Sequence, residues 1–145
     1  MDRKQFLKAC GFGCLAAISG TTILNGCSSS QISREIKESD LLVPISDFIV
    51  QKGAKTQFKK YIVIQNDILK APICVFRFSE NDYSAIFMLC THQGAELQVF
   101  GDKLQCPAHG SEFNSRGDLE SGPASSALRK FPVSIENNIL KISLK

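Results

Sequence analysis

From Leu41 to Lys145 the chain alternates short apolar runs with turn residues, and no stretch keeps an amphipathic helical period for more than a few turns. LLVPISDFIV, KYIVIQ, ICVFRF, SAIFML, LQVF, KLQC, KFPVSI and ILKISLK are rich in Ile, Val, Leu and Phe, which suit a pleated, half-buried surface. FGDK at 100–103, ENN at 136–138 and SEND at 79–82 supply hairpin turn residues between them. Pro44, Pro72 and Pro132 stand near the starts or edges of runs, where a missing amide hydrogen is tolerated. The pattern predicts an all-β domain over residues 41–145.

The polar and apolar pattern before Leu41 is different. A basic head, MDRKQFLK, precedes an apolar run of 15 residues, CGFGCLAAISGTTIL, and small residues then lead to Cys27. As a helix that run spans roughly 22 Å, short of the ~30 Å hydrocarbon core of a bilayer, so it reads as the apolar part of an export signal rather than a spanning helix. RKQFLK resembles a twin-arginine signal with Lys4 in place of the second arginine, and LNGC resembles a bacterial lipobox. Residues 1–26 are therefore expected to be an export signal peptide and Cys27 a lipid anchor, with the domain on the periplasmic side of a bacterial membrane. An uncleaved N-terminal anchor would tether it on the same side. Residues 27–40, Ser-rich and charged, are expected to form a polar tether, with a short helix in ISREIKES as the alternative.

Composition narrows the function classes. The chain has 145 residues, 43% of them apolar, and a formal charge of +3. Arg3, Lys4 and Lys8 against Asp2 carry most of that excess, so the body is nearly neutral and no basic stripe argues for nucleic acid. Lys52, Lys55, Lys59 and Lys60 read as a solvated face. No catalytic nucleophile with its base, paired carboxylates or phosphate loop marks a standalone enzyme.

The candidate chemistry lies in two short stretches. CTHQG at 90–94 and CPAHGS at 106–111 each place a cysteine beside one of the only two histidines in the chain. Of the other cysteines, Cys10 and Cys14 fall in the signal and Cys74 sits in a strand-like run as a small buried apolar residue. Cys90 and Cys106 could pair as a disulfide, but that leaves the adjacent histidines unexplained. Two thiolates and two imidazoles make a four-ligand set for zinc or an iron–sulfur cluster. Zinc fingers group both cysteines before both histidines, whereas here each loop supplies one of each, which suits two metals.

With both boxes in order, CTHQG and CPAHGSEFNSRGDLESGPA, residues 41–145 resemble the Rieske iron–sulfur family. The resemblance implies stacked antiparallel β-sheets with a small cluster-binding subdomain formed by two loops. It implies a Rieske-type 2Fe-2S cluster with Cys90 and Cys106 on the buried iron and His92 and His109 on the outer iron. Ser111 matches a position whose hydroxyl bonds a bridging sulfide in the higher-potential members, while Phe113 stands where those members often have a tyrosine. An intermediate potential follows, roughly 0 to +200 mV within the Rieske range of about −150 to +300 mV. Ala95 and Ala108 replace a cysteine pair that staples the loops of quinol-oxidising members, and only Pro123 remains of the proline-rich cover. Gly94 and Gly110 are expected to take loop conformations other residues avoid.

The resemblance implies one-electron transfer by an exported, lipid-tethered subunit or partner of an oxidoreductase complex. Its redox partner would be a protein, a cytochrome or a quinol. The alternatives are the iron–sulfur subunit of a cytochrome bc-type quinol oxidoreductase, and a structural zinc module that carries no electrons.

Overall fold

Two-sided burial explains the most apolar runs. In the computed structural model, which describes residues 31–145, β6 (Tyr61–Gln65), β7 (Ile73–Arg77) and β8 (Tyr83–Phe87) form the middle of a five-stranded sheet. β1 (Gln31–Ser33) and β13 (Lys130–Phe131) lie at its edges. Successive side chains of a strand point to opposite faces, and here both faces are covered. Val63, Cys74, Phe76, Ile86 and Met88 pack on one side with Leu97, Leu104 and Phe113. Ile62, Ile64, Ile73, Val75 and Ala85 pack on the other with Leu41, Val43, Leu140 and Ile142. The second group belongs to an antiparallel sheet ordered β14-β15-β3-β2, made of Val133–Glu136, Ile139–Ser143, Asp40–Pro44 and Ile36–Lys37.

The first face carries a smaller sheet, ordered β12-β11-β10-β9, from Leu119–Ser121, Glu112–Asn114, Lys103–Gln105 and Gln98–Phe100. The result is three layers, with the central sheet between a structural sheet and the small subdomain. A projecting hairpin, β4 (Ile49–Lys52) with β5 (Lys55–Phe58), pairs only with itself. It follows a 3-10 turn at Ile45–Phe48 whose Phe48 is fully buried.

The turn chemistry read from the sequence holds at all three hairpins. Asn137 and Asn138, both with positive φ, join Glu136 to Ile139, as a mirror-image two-residue turn demands. Gly101, with φ +66°, opens the two-residue turn between Phe100 and Lys103, and residues 78–82 connect β7 to β8.

Several expectations are corrected. The polar tether over residues 27–40 does not extend through that range, because Gln31–Ser33 pairs in parallel with Val63–Gln65 and Ile36–Lys37 pairs with Asp40 and Leu41. Ile32 and Ile36 pack against the core, and that burial holds an otherwise polar segment in place. The Asn66 side-chain amide donates a hydrogen bond to the Arg34 carbonyl at 2.8 Å, and the Arg34 guanidinium pairs with Asp47. No helix forms in ISREIKES. The β1–β6 pair is also parallel in an otherwise antiparallel sheet. Strands β11 and β12 lie outside the predicted strand runs, within the second box, so the subdomain contains its own four-stranded sheet. Residues 1–26 and Cys27 lie outside the described residues.

Candidate metal centre

The two short stretches fold as near copies of each other. The Cys90 amide donates to the Ala95 carbonyl at 2.8 Å and the Gly94 amide returns to the Cys90 carbonyl at 2.9 Å. The Cys106 amide donates to the Ser111 carbonyl at 2.8 Å and the Gly110 amide returns to Cys106 at 3.0 Å. Each cysteine thus opens a tight loop closed five residues later, with a glycine in the fourth place at φ +72° and +74°. A Cβ at either glycine would meet nothing within 4 Å, so backbone conformation, and not space, makes glycine fit there. Cys90 follows β8 by three residues and Cys106 follows β10 directly, so the central sheet presents one loop and the subdomain sheet the other.

Side chains divide along the loops. Cys90 and Cys106 are buried, with thiols that are not joined in a disulfide, against Cys74, Leu97, Leu104 and Phe113. His92 is half-buried and His109 exposed. Their rings meet edge to face with centroids 4.9 Å apart. His92 Nδ1 is the one buried side-chain nitrogen or oxygen without a hydrogen-bond partner among the described residues. A buried nitrogen without a partner is costly, and a metal would relieve it. Burial alone would raise the Cys106 thiol, but the His109 and Ala108 amides and the Cys90 thiol hydrogen-bond its sulfur, and the net effect lowers its pKa. The pocket is therefore prepared for a thiolate. The contacts are pairwise, thiol with thiol and ring with ring, and this donor set fits a two-iron cluster.

A third loop, residues 122–127, ties the other two together. Ser111, fully buried, accepts the Ala124 amide on its Oγ at 3.1 Å, and the Thr91 hydroxyl donates to the Ser126 carbonyl at 2.8 Å. Gly122, at φ +98°, passes so close to the second loop that a Cβ would lie 2.4 Å from the Ser111 Cα. Thr91, Ala124 and Ser126 were not legible as site residues, because backbone groups of an unremarkable stretch carry two of the three roles. Phe113 is fully buried beneath the cysteines, and Pro123 is exposed on the third loop. Cys74 stands in β7 between Val63 and Ile86, and burial pushes its thiol up. Ala95 is half-buried and Ala108 exposed, so the loops are joined by these hydrogen bonds and by packing. The three loops, 90–95, 106–111 and 122–127, carry no charged side chain.

Comparison with known proteins adds three findings. Residues 49–132 match the family described as the Rieske 2Fe-2S domain. The cytochrome b6-f complex iron-sulfur subunit of Chlorobaculum tepidum is 22% identical over 116 residues, which cover 71% of this chain and 64% of that protein. The corresponding subunit of Synechococcus sp. CC9605 is 37% identical over 57 residues, 38% of this chain and 32% of that one. The chain therefore spans less than two thirds of the length of these relatives. The crystal structure of the plasma membrane Rieske protein of Synechocystis PCC 6803 superposes with a TM-score of 0.50 at 25% identity, covering 58% of this chain and 86% of that one.

Proposed function

Because the chain belongs to the Rieske family, and so carries a 2Fe-2S cluster that passes single electrons, we propose that it is a membrane-tethered electron carrier serving a larger oxidoreductase. Cys90 and Cys106 hold the inner iron, and His92 and His109 the outer. The observation that carries this assignment is the matched pair of loops, with both thiols inside and both imidazoles toward the surface. When bound, the cluster supplies an electron acceptor of higher potential than a four-cysteine cluster, since two neutral imidazoles replace two thiolates.

The residues of the chain do the rest. His92 turns Nδ1 inward, which leaves Nε2 as the nitrogen that can hold or pass a proton at the surface. His109, the more exposed ring, meets a partner first. Ser111 is held by the Ala124 amide with its own hydrogen available to donate. Phe113 keeps water from the thiol side. An uncharged rim means that docking depends on shape and apolar contact, with little steering by charge.

Residues 1–26 act as an export signal, and Cys27 bears a lipid that holds the domain on the periplasmic side. The sequence pattern supports this, as does the plasma membrane location of the Synechocystis neighbour. The first strand of the described residues starts at Gln31, four positions after Cys27. A second reading, the iron–sulfur subunit of a cytochrome bc-type quinol oxidoreductase, is favoured by the cytochrome b6-f relatives.

An EPR-monitored redox titration of the iron-replete protein tests the proposal. A rhombic signal in the reduced state that disappears in His92→Ala and in Cys106→Ala supports it. One zinc per chain and no signal would replace it with a structural ion site. Rapid reduction by a quinol analogue would move the balance to the second reading.

A further inference from the structure

The β4–β5 hairpin belongs to neither core, and its residues are exposed apart from half-buried Val50. Its register sets Lys52 directly opposite Lys55 and Ile49 opposite Phe58. Like charges facing each other across a hairpin are destabilising unless something anionic meets them. Lys59 and Lys60 follow at its base, where the Lys59 amide bonds the Phe48 carbonyl at 2.7 Å. No acidic residue occurs between Asp47 and Asp67. None of the four lysines makes an ion pair among the described residues. Ile49 and Phe58, 38% and 47% exposed, add apolar surface, and the Arg77 guanidinium stacks over Phe58 at 4.1 Å. Glu80 lines a small cavity together with Phe58 and Arg77.

Strand direction places this hairpin relative to the metal centre. β6 and β8 both run antiparallel to β7, so they share a direction, and Cys90 follows the far end of β8. Lys59 and Lys60 precede the near end of β6. The lysines and the metal centre therefore occupy opposite poles. β1 runs parallel to β6, so its Gln31 end is turned toward the lysine pole.

We propose that the β4–β5 hairpin is a docking surface for an anionic lipid bilayer, and that it holds the domain with its metal centre facing away from the membrane. Basic side chains beside exposed apolar ones suit a headgroup interface. The choice of lipid over an acidic protein rests on the membrane-tether reading above, because β1 begins four residues after Cys27 with its first residue turned toward the lysine pole. The redox partner then approaches from the aqueous side.

Flotation of the full-length holoprotein with vesicles of phosphatidylcholine, alone or mixed with phosphatidylglycerol, tests this. Binding is expected to be tighter on the anionic vesicles, with the advantage removed by 1 M salt, where the Debye length is about 3 Å. Each lysine that reaches the surface should contribute about fivefold, so Lys52→Gln with Lys55→Gln should cost about 25-fold on anionic vesicles only. Adding Lys59→Gln and Lys60→Gln should remove the lipid preference. An unchanged EPR signal in these variants shows that the fold is intact. Cys27→Ser separates the two readings: loss of salt-resistant binding to both vesicle types belongs to the tether, whereas the salt-sensitive preference should survive. Equal partition of native and lysine variants would overturn the proposal. So would lysine variants that bind vesicles normally but lose binding to polyglutamate, which would assign the hairpin to an acidic protein.

Discussion

Ser111→Ala removes one oxygen and two interactions. The hydroxyl is fully buried and accepts the Ala124 amide at 3.1 Å, and among the described residues its own hydrogen goes to no protein acceptor. In the proposed site that hydrogen bonds the cluster, which it stabilises more in the reduced state because the added electron makes a stronger acceptor. A hydrogen bond to a charged group contributes about 1.5–3 kcal/mol. If the difference between the two redox states is about 1–2 kcal/mol, the midpoint falls by roughly 40 to 90 mV, since 59 mV corresponds to a factor of ten for one electron. Independently, a buried amide left without its acceptor costs about 1–3 kcal/mol, which should appear as a lower denaturation midpoint. EPR-monitored titration measures the first and denaturant unfolding of the holoprotein the second. A drop in stability with an unmoved potential would refute the bond from the Ser111 hydroxyl to the cluster and leave Ser111 as a strut for the third loop alone.

Gly122→Ala should be as damaging as Ser111→Ala to stability, because the new Cβ would lie 2.4 Å from the Ser111 backbone at a φ that only glycine adopts easily. The readout is a broadened EPR spectrum together with a lower unfolding midpoint. Cys74→Ala should retain a full cluster content, measured as iron and sulfide per chain, and lose about 1 kcal/mol or more of stability from the space left in a packed core. Removal of the cluster should loosen residues 90–113 while β6, β7 and β15 stay protected, as amide exchange of holo and cluster-free protein would show, because metal binding and local order are linked. In cluster-free protein, maleimide labelling should favour Cys106 over Cys74, whose thiol burial holds protonated. Loosening of the loops in the cluster-free protein exposes Cys106 further, while Cys74 stays enclosed in the core.

Local signals determined much of this protein. Alternating apolar residues located β3 and β15, and continuous apolar runs located β6, β7 and β8, since a strand with both faces buried must read as an unbroken apolar run. Asn137-Asn138 and Gly101-Asp102 announced their hairpins through backbone angles that few other residues accept. The cysteine and histidine spacing singled out the four side chains of the proposed ligand set, because metal chemistry restricts which side chains can serve. Tertiary structure decided the rest, wherever the stabilising partner is distant along the chain. Gln31–Ser33 looked like tether and became a strand through pairing with β6 and the burial of Ile32 and Ile36. The third loop joined the site through the Ser111 and Thr91 hydroxyls, contacts made 13 and 35 residues apart. The lysines around residue 55 looked like an ordinary solvated face. Strand direction, which no local pattern encodes, set them at the pole opposite the metal centre.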